Sequence, residues 1–279
     1  MIEVISTGPF ATVQDLGRVG YREYGIGNSG AADRGAHRLA NRLVGNAETA
    51  ATIEVTLGGL QLHCHRAVTV AVTGACCPGL PWQLAVSLPA GSRIVLGAPL
   101  TGLRSYLAVR GGLAAPAVLG SRATDTLSGL GPAPLRPGDR FDTGPDAVAD
   151  PLDHAGARPP PAGPVRVVPG PRADWFAEPD ELFEQPWLVG ADTNRIGIRL
   201  AGRALNRARP GELATEPTLP GAIQVPPDGR PIVLGPDAPV TGGYPVIGVV
   251  LTEDLDRLAQ LRPGDALQLL PAGTPRYRC

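Results

Sequence analysis

Glycine and proline interrupt this sequence so often that short strands are favoured over long helices. Together they account for 37 + 31 = 68 of the 279 residues, and they are spread along the chain. Short, often β-branched apolar runs lie between them: Val68–Val72, Arg93–Leu96, Tyr106–Val109, Ile232–Leu234 and Val246–Leu251. This pattern predicts a mainly β structure, a barrel or sandwich with a few short helices.

Length and charge narrow the class of protein. A chain of 279 residues can form one large domain or two ordinary ones, with a core that needs no metal or disulfide. The net charge is −1 and 43% of the residues are apolar, which is typical of a soluble globular protein. Because phosphate binding needs a basic surface, nucleic acid is not expected as a partner.

The absence of lysine excludes several mechanisms. Every basic side chain other than histidine is arginine. The chain therefore cannot form a Schiff base or carry biotin on a lysine side chain. It also cannot supply the lysine with which a P-loop reaches a nucleotide phosphate.

The cysteines form no disulfide or zinc pattern. Cys64, Cys76, Cys77 and Cys279 include no CxxC pair, and adjacent cysteines are poorly placed for a structural bridge. Free thiols in a reducing compartment are therefore expected. Residues 1–12 lack a basic leader, and no apolar run approaches the roughly 18 residues of a membrane span. A cytoplasmic protein without a membrane partner is predicted.

His63 and His65 are the strongest metal candidates, because alternate residues of a strand lie on one face. A metal site needs further ligands, and none stands at a suitable spacing. No metal site is therefore predicted.

Two helices are indicated by apolar residues at helical spacing. Asp33 can cap the first and Gly45 can end it. Its apolar stripe is Ala36, Leu39, Ala40, Leu43 and Val44. The second is predicted to begin near Thr252 and to stop at Pro263-Gly264, with a stripe of Leu255, Leu258 and Ala259.

Residues 147–164 are rich in Pro, Ala, Gly and Asp and are predicted to be a linker between domains 1–146 and 165–279. The two domains repeat residues in the same order. At an offset of 162, Gly8-Pro9 matches Gly170-Pro171, Glu54 matches Glu216, and Thr56-Leu57 matches Thr218-Leu219. At slightly larger offsets, Gln61 matches Gln224 and Thr73-Gly74 matches Thr241-Gly242, whereas Tyr106 matches Tyr244 at a smaller offset. We infer an ancient duplication of one β-rich unit, with an insertion around residues 76–104.

One pentapeptide, Leu-Arg-Pro-Gly-Asp, occurs at residues 135–139 and again at 261–265. Proline and glycine form turns, and aspartate can accept a hydrogen bond from the backbone of a turn. We therefore assign both copies to structure and not to chemistry.

The densest group of polar residues lies in the first thirty-three positions, between glycines. Its members are Gln14, Asp15, Arg18, Tyr21, Asn28, Ser29 and Asp33. Taken singly, such residues favour turns and helix caps for local reasons. Taken together, they predict a polar loop that lines a pocket for a small polar substrate. Asn41, off the apolar stripe of the first helix, is added as a residue that faces either a pocket or water.

The second half offers a comparable set: Arg195, Glu216, Gln224, Asp237, Thr241, Gly243 and Tyr244. Glu54 joins the candidates as the counterpart of Glu216. Thr-Gly-Gly amides at 241–243 can form an anion-holding concavity, with a turn between strands as the alternative. Glu216 and Asp237 can do acid–base work only if they converge. No Gly-x-Ser-x-Gly elbow or Cys/His signature is present, so no nucleophile is identified.

Several of these segments together resemble one known family. They are the run from Thr12 to Asp33, Ala40–Asn46, Gly120–Arg122 with Thr124-Asp125, Arg195 with Gly197, Gly221–Gly229, and Thr241–Pro245. The resemblance covers about Glu3 to Leu269. It is to the family of allophanate hydrolase subunit 2, also called the 5-oxoprolinase C subunit and KipI antagonist (KipA), which is similar to biotin-dependent carboxyltransferases. The sequence departs from the usual pattern at Ala32, Ile196, Thr215–Pro217 and Pro239-Val240.

The resemblance implies two tandem cyclophilin-like β-barrel domains and one component of an ATP-dependent complex that opens 5-oxoproline to L-glutamate. The implied partners are the KipI-like B subunit of 5-oxoprolinase and its A subunit, with a small amide as substrate and ATP used by the complex. Two alternatives stay open. One is a carboxyltransferase subunit of a biotin-dependent enzyme of the urea amidolyase type, with the biotin on another domain. The other is a non-catalytic antagonist that binds a KipI-like partner.

Overall fold

The computed structural model describes residues 1–152, 163–211 and 213–273, and these residues are mainly β structure with two short α-helices. They divide into two compact units. The first unit comprises Met1–Val19 and the described residues from Ser29 to Leu152. The second comprises Gly20–Asn28 and the described residues from Gly163 onward.

The first unit contains β1 (Ile2–Thr7), β2 (Phe10–Gln14), α1 (Arg34–Leu43), β3 (Thr52–Thr56), β4 (Leu60–Cys64), β5 (Val68–Gly74), β6 (Ala85–Leu88), β7 (Arg93–Val95), β8 (Arg104–Val109) and β9 (Arg140–Phe141). The second contains β10 (Val165–Pro169), β11 (Trp187–Val189), β12 (Gly197–Ala201), β13 (Glu216–Pro217), β14 (Ala222–Gln224), β15 (Ile232–Leu234), β16 (Thr241–Gly242), β17 (Val246–Val250), α2 (Leu255–Leu258), β18 (Ala266–Leu267) and β19 (Leu269–Pro271). Single 3-10 turns lie at Arg22–Tyr24, Ala173–Trp175, Pro179–Leu182 and Thr252–Asp254.

Two sheets enclose the core of the first unit. One has the order β7-β4-β1-β9 and the other β2-β3-β8-β5-β6. Leu62 and Ile94 of the first sheet pack in one buried cluster with Ile53, Val72 and Leu107 of the second. Helix α1 covers β5 and β8 from outside, with Leu39 and Leu43 in a separate buried cluster.

The second unit is built on one eight-stranded sheet with the order β18-β11-β12-β15-β14-β17-β10-β19. Its two edge strands, β18 and β19, are separated along the chain by Gln268 alone. Because one residue joins the two edges, the sheet curls into a nearly closed barrel. Trp187, Ile223 and Val233 are among the residues that fill its interior.

The predicted elements are largely confirmed. All five apolar runs named above lie in or on strands β5, β7, β8, β15 and β17. Helix α1 begins after Asp33, whose Oδ1 accepts a hydrogen bond of 2.8 Å from the Ala36 amide. The second helix is shorter than predicted: a 3-10 turn leads into the single turn of α2. Asp254 does not cap it, because its carboxylate binds the backbone amide and guanidinium of Arg166.

Both copies of the repeated pentapeptide form the same turn, as predicted. In the first, Asp139 accepts from the Arg136 amide at 2.7 Å, and the Gly138 amide donates to Val4 on β1. In the second, Asp265 accepts from the Arg262 amide at 2.8 Å, and Gly264 donates to Val189 on β11.

Matching positions in the two units are not related by one constant residue offset. The first turn bonds to Val4 and the second to Val189, and these two residues are 189 − 4 = 185 positions apart. The strands that receive the two turns are therefore not related by the offset of 162 seen earlier in the chain. The two units therefore share a turn and its way of docking, although the matched strands differ.

The predicted linker begins with bonded residues. The amides of Val148 and Leu152 donate to carbonyls of Gly45 and Leu43 at the end of α1, and residues 147–152 group with the first unit. Residues 153–162 of the linker lie outside the described part of the chain. The domain limits of 1–146, 147–164 and 165–279 stay a prediction.

Candidate functional site

Three segments of the first unit meet beside the end of β2: residues 14–18, 29–33 and 121–125, which we call the loop cluster. The Thr124 amide donates to the Val13 carbonyl at 2.9 Å, and the Ala31 amide donates to the Asp15 carbonyl at 2.9 Å. The Arg122 amide donates to Asp15 Oδ2 at 2.6 Å. Segments more than a hundred residues apart are thereby joined by hydrogen bonds of the main chain.

Asp15 holds the loop cluster together. Its Oδ1 accepts from the Gly17 amide at 2.8 Å and from Ser121 Oγ at 2.6 Å, while its Oδ2 takes the Arg122 amide. Charge-assisted hydrogen bonds of this kind are among the stronger ones in proteins. Asp15 therefore positions the loops, and its carboxylate oxygens are already occupied by protein donors.

Ser29 and Gly30 have an unusual backbone conformation that allows their segment to pack in the loop cluster. Ser29 has φ 53° and donates from Oγ to the Thr124 carbonyl at 3.1 Å. Gly30 has φ 94°, and a Cβ there would lie 2.8 Å from the Gly17 nitrogen. Only glycine allows this close approach of two loops.

Three side chains of the cluster carry buried polar atoms that lack a hydrogen-bond partner within the described residues. Gln14, Arg18 and Thr124 are 0%, 1% and 2% exposed. The atoms are Gln14 Oε1, Arg18 Nε and Nη1, and Thr124 Oγ1. Arg18 does donate from Nη2 to the Ala123 carbonyl, and Asp125 Oδ2 lies 4.0 Å from Nη1.

Thr124 and Asp125 were not among the predicted site residues. The signal that would have found them is the polar stretch Ser-Arg-Ala-Thr-Asp at 121–125, which carries part of the family resemblance. Sequence alone does not bring this stretch to residues 14–18.

Glu54 and Asp33 belong to a buried network behind the cluster. Tyr106 Oη donates to Glu54 Oε2 at 2.8 Å and accepts from the Asp33 amide at 2.7 Å. Glu54 Oε2 also accepts from the Ala32 amide at 3.0 Å. Burial, together with the charges of Glu54 and Asp33, raises the pKa of Tyr106 well above 10. The network fixes the start of α1.

Asn41 faces neither a pocket nor water. It is fully buried, and its Nδ2 donates to the Ala50 carbonyl at 2.8 Å while its Oδ1 accepts from Asn46 Nδ2 at 3.1 Å. Beside it, His37 Nδ1 lies 2.9 Å from Thr52 Oγ1 and Nε2 lies 3.0 Å from the Glu48 carbonyl. Desolvation lowers the pKa of His37 to about 4, so the ring is neutral at pH 7.

Tyr21 and Asn28 do not belong to the same compact unit as the other polar residues predicted within the first thirty-three positions. Both belong to residues 20–28, which group with the second unit. The Tyr21 carbonyl accepts from the amides of Tyr24 and Ile26, so its backbone forms a tight turn.

In the second unit, Arg195 and Asp237 form a buried ion pair. Nε and Nη2 of Arg195 donate to Oδ2 and Oδ1 of Asp237 at 2.8 and 2.9 Å. Glu216 is instead engaged by Arg172, which donates to both of its carboxylate oxygens. Each carboxylate is thus bound to its own arginine, an arrangement that supports structure more directly than proton transfer.

The remaining candidates gather around the two-stranded ribbon of β13 and β16. Thr241 pairs with Pro217 and Gly242 with Glu216. Gln224 donates to the Tyr244 carbonyl at 3.4 Å, and Tyr244 itself is partly exposed. Thr241 and Gly242 form β16 and Gly243 follows it in a bend, and neither glycine has the positive φ that would favour an anion-holding concavity over the alternative of a turn.

A pocket of about 250 Å³ opens in the second unit, lined in part by Asp192, Arg199, Asp228 and Arg230. None of the predicted site residues lines it. Within the described ranges no group of three or more His, Cys, Asp or Glu is placed to hold a metal ion. Among the same residues, no helix has the length and apolar character to cross a membrane.

Comparison with known proteins gives consistent relatives. The family model described as "Carboxyltransferase domain, subdomain A and B" matches residues 24–271. The C subunit of 5-oxoprolinase from Escherichia coli K12 is 39% identical, over 97% of this chain and 91% of that protein. The C subunit of 5-oxoprolinase from Haemophilus influenzae is 34% identical, over 96% and 90%.

A solved structure supports the same relationship. The crystal structure of K. lactis urea amidolyase matches with a TM-score of 0.89 and 29% identity, over 98% of this chain but 19% of that one. This chain thus spans about a fifth of the solved enzyme and nearly the whole of its 5-oxoprolinase relatives. It belongs to the carboxyltransferase domain family, subdomains A and B, and within that family it is similar to the 5-oxoprolinase C subunit along nearly its whole length.

Proposed function

We propose that this chain is the C subunit of an ATP-dependent cytoplasmic complex that opens 5-oxoproline to L-glutamate. One observation carries the proposal: the similarity to the 5-oxoprolinase C subunit spans 97% of this chain and 91% of the E. coli protein. Similarity that covers both proteins almost completely favours an equivalent subunit over a domain shared by larger enzymes.

The chemistry of the chain supports a shared reaction and not an isolated enzyme. The loop cluster offers hydrogen-bonding side chains, but Asp15 is engaged with the backbone and no nucleophile elbow is present. Hydrolysis driven by ATP requires an activated carbonyl and a place for the phosphates. The chain has no lysine for a P-loop, so we assign ATP binding to the A and B subunits. The role of this chain is then to bind and orient the amide.

A carboxyltransferase subunit is the second candidate, favoured by the match to urea amidolyase over 98% of this chain. In that case biotin must be attached to another polypeptide or domain, because biotin is carried on lysine and this chain has none. The two candidates therefore differ in what accompanies the chain.

Purification of the tagged chain from its own cells would separate the candidates. The proposal predicts that proteins similar to the A and B subunits of 5-oxoprolinase co-purify, and that the purified complex hydrolyses ATP when 5-oxoproline is added. Co-purification of a biotinylated protein, with ATP turnover that depends on a urea-like amide, would favour the carboxyltransferase. A lone KipI-like partner without substrate-dependent ATP hydrolysis would point to the antagonist.

A further inference from the structure

We propose that Gln14, Arg18 and Thr124 form a binding site for a small planar amide, one that presents an N–H and a C=O side by side. The inference rests on the proposed function only for the identity of the natural ligand. The site itself is derived from the hydrogen-bonding atoms of the three side chains.

The first observation is how deeply these unpartnered atoms lie. Gln14, Arg18 and Thr124 are each at least 98% buried, yet together they leave four polar atoms without a hydrogen bond to the described protein. Buried polar groups in native proteins are nearly always paired, and an unpaired guanidinium nitrogen is especially unfavourable. Several such atoms on side chains of one loop cluster indicate that a ligand completes their hydrogen bonds.

Gln14 determines which group the ligand must present. Its Nε2 donates to Thr12 Oγ1 at 3.0 Å and to the Thr124 carbonyl at 2.9 Å. A carbonyl can only accept, so this contact fixes the side of the amide that bears nitrogen. Gln14 Oε1 therefore faces the other way and needs a donor, which an N–H of the ligand supplies.

Arg18 requires the opposite partner. Its Nε and Nη1 carry three N–H donors without a hydrogen bond, and they need an oxygen. A carboxylate would satisfy Arg18 but would bring an oxygen against Gln14 Oε1. An ammonium group would satisfy Gln14 but would be repelled by the guanidinium. An amide or lactam offers the N–H and the oxygen together, and the Thr124 hydroxyl can donate to that oxygen.

A surface loop provides the route of access. Residues 127–129 are exposed, and the amides of Leu127 and Ser128 donate to Asp125 Oδ1. The Gly129 amide donates to the Asp125 carbonyl, so these bonds stay within the loop. Gly131 lies against the Arg18 side chain, since a Cβ at this glycine would lie 3.0 Å from Arg18 Nη2. Displacement of residues 127–129 would open a path to Arg18.

The test measures binding of 2-pyrrolidinone to the full chain by ligand-observed NMR, with cyclopentanone as the matched ligand that lacks the N–H. The site predicts that pyrrolidinone binds and that cyclopentanone binds at least fivefold more weakly. Equal binding of the two ligands, or no binding of pyrrolidinone, would overturn the proposal.

Two threonine variants locate the site. Thr124→Val removes a hydroxyl that has no protein partner among the described residues, so the melting temperature should hold while the dissociation constant of pyrrolidinone rises about fivefold to tenfold. Thr73→Val removes a hydroxyl that donates to the Ala36 carbonyl at 2.6 Å, so the melting temperature should fall while binding is unchanged. Thr124→Ser keeps the hydroxyl and should keep the affinity. Unchanged binding in Thr124→Val, or lost binding in Thr124→Ser with the fold intact, contradicts the assignment.

The outcome is independent of the proposed function. Pyrrolidinone binding that depends on Thr124, without 5-oxoproline-dependent ATP hydrolysis by the complex, leaves the amide site standing and removes the proposed reaction. ATP hydrolysis that depends on 5-oxoproline, without pyrrolidinone binding, removes the amide site and leaves the reaction.

Discussion

His37 is a buried titratable side chain that the proposed reaction does not use, and it makes stability depend on pH. Its pKa of about 4 in the folded chain lies below the usual value of 6.5 in an unfolded one. The unfolded state therefore binds a proton first as the pH falls, and the stabilising contribution present above pH 6.5 is lost between pH 6.5 and 4.

For His37 we expect a loss of about 2 kcal/mol in the free energy of unfolding between pH 8 and pH 5. The loss accumulates over about 1.5 pH units, from 6.5, the pKa in the unfolded chain, down to pH 5. Urea unfolding of the wild type and of His37→Gln at both pH values measures it. The variant should show a smaller pH dependence by that amount. Equal pH dependence in the two proteins would mean that the imidazole is not held neutral by burial.

Tyr106 is expected to stabilise the start of α1 through its hydroxyl. Tyr106→Phe leaves the Glu54 carboxylate and the Asp33 amide each short of a buried partner, which should cost about 1–3 kcal/mol. Tyr24→Phe is the matched control, because Tyr24 is 71% exposed and its change should stay within about 0.5 kcal/mol. Calorimetry of both variants checks this, and equal melting temperatures would contradict the network.

At the scale of single residues, the sequence predicts local roles, such as a helix cap, better than it predicts which distant residues form hydrogen bonds. Asp33 was identified as a helix cap because its position before an apolar stripe is a local signal. Thr124 was missed, because its contact with Gln14 joins residues 110 positions apart and no local pattern encodes it. Asn41 was misread for the same reason: its partners at Asn46 and Ala50 depend on how the chain turns after α1.

Among the elements, the two pentapeptide turns are the best test of local reasoning. Gly138 and Gly264 have φ of 95° and 90°, and a Cβ at either would meet no atom within 4 Å. Substitution there is opposed by backbone conformation alone, at about 1–2 kcal/mol.

Gly138→Ala and Gly264→Ala should therefore destabilise the chain by similar amounts. Gly273→Ala should be neutral, because Gly273 has equal space and no positive φ. Urea unfolding of the three variants measures the effect. If either turn variant has an unchanged free energy of unfolding, or if Gly273→Ala lowers it by as much as the turn variants do, the turns do not require a left-handed backbone.

Strands were predicted well and their pairing was not. Short apolar runs between glycines and prolines correctly indicated β5, β7, β8, β15 and β17. The order of the strands depends on which distant residues meet, so neither the two sheets of the first unit nor the near closure of the second follows from periodicity. The second helix was predicted too long: residues Thr252–Asp254 form a 3-10 turn, and the α-helix covers only Leu255–Leu258.

For the whole molecule, the resemblance contributed what local patterns do not. Each unit has its own buried core, in line with the expected pair of β domains. The family relationship, the fold and the lack of lysine together support the proposal that this chain binds an amide while ATP is handled by its partners.

A reconstitution assay with the components added one at a time tests this division of labour most directly. The rate of ATP hydrolysis that depends on 5-oxoproline is measured for this chain alone, for the A and B subunits together, and for all three. We predict no activity above background in the first two mixtures and full activity in the third. Full activity of this chain alone, or of the other two without it, would contradict the account.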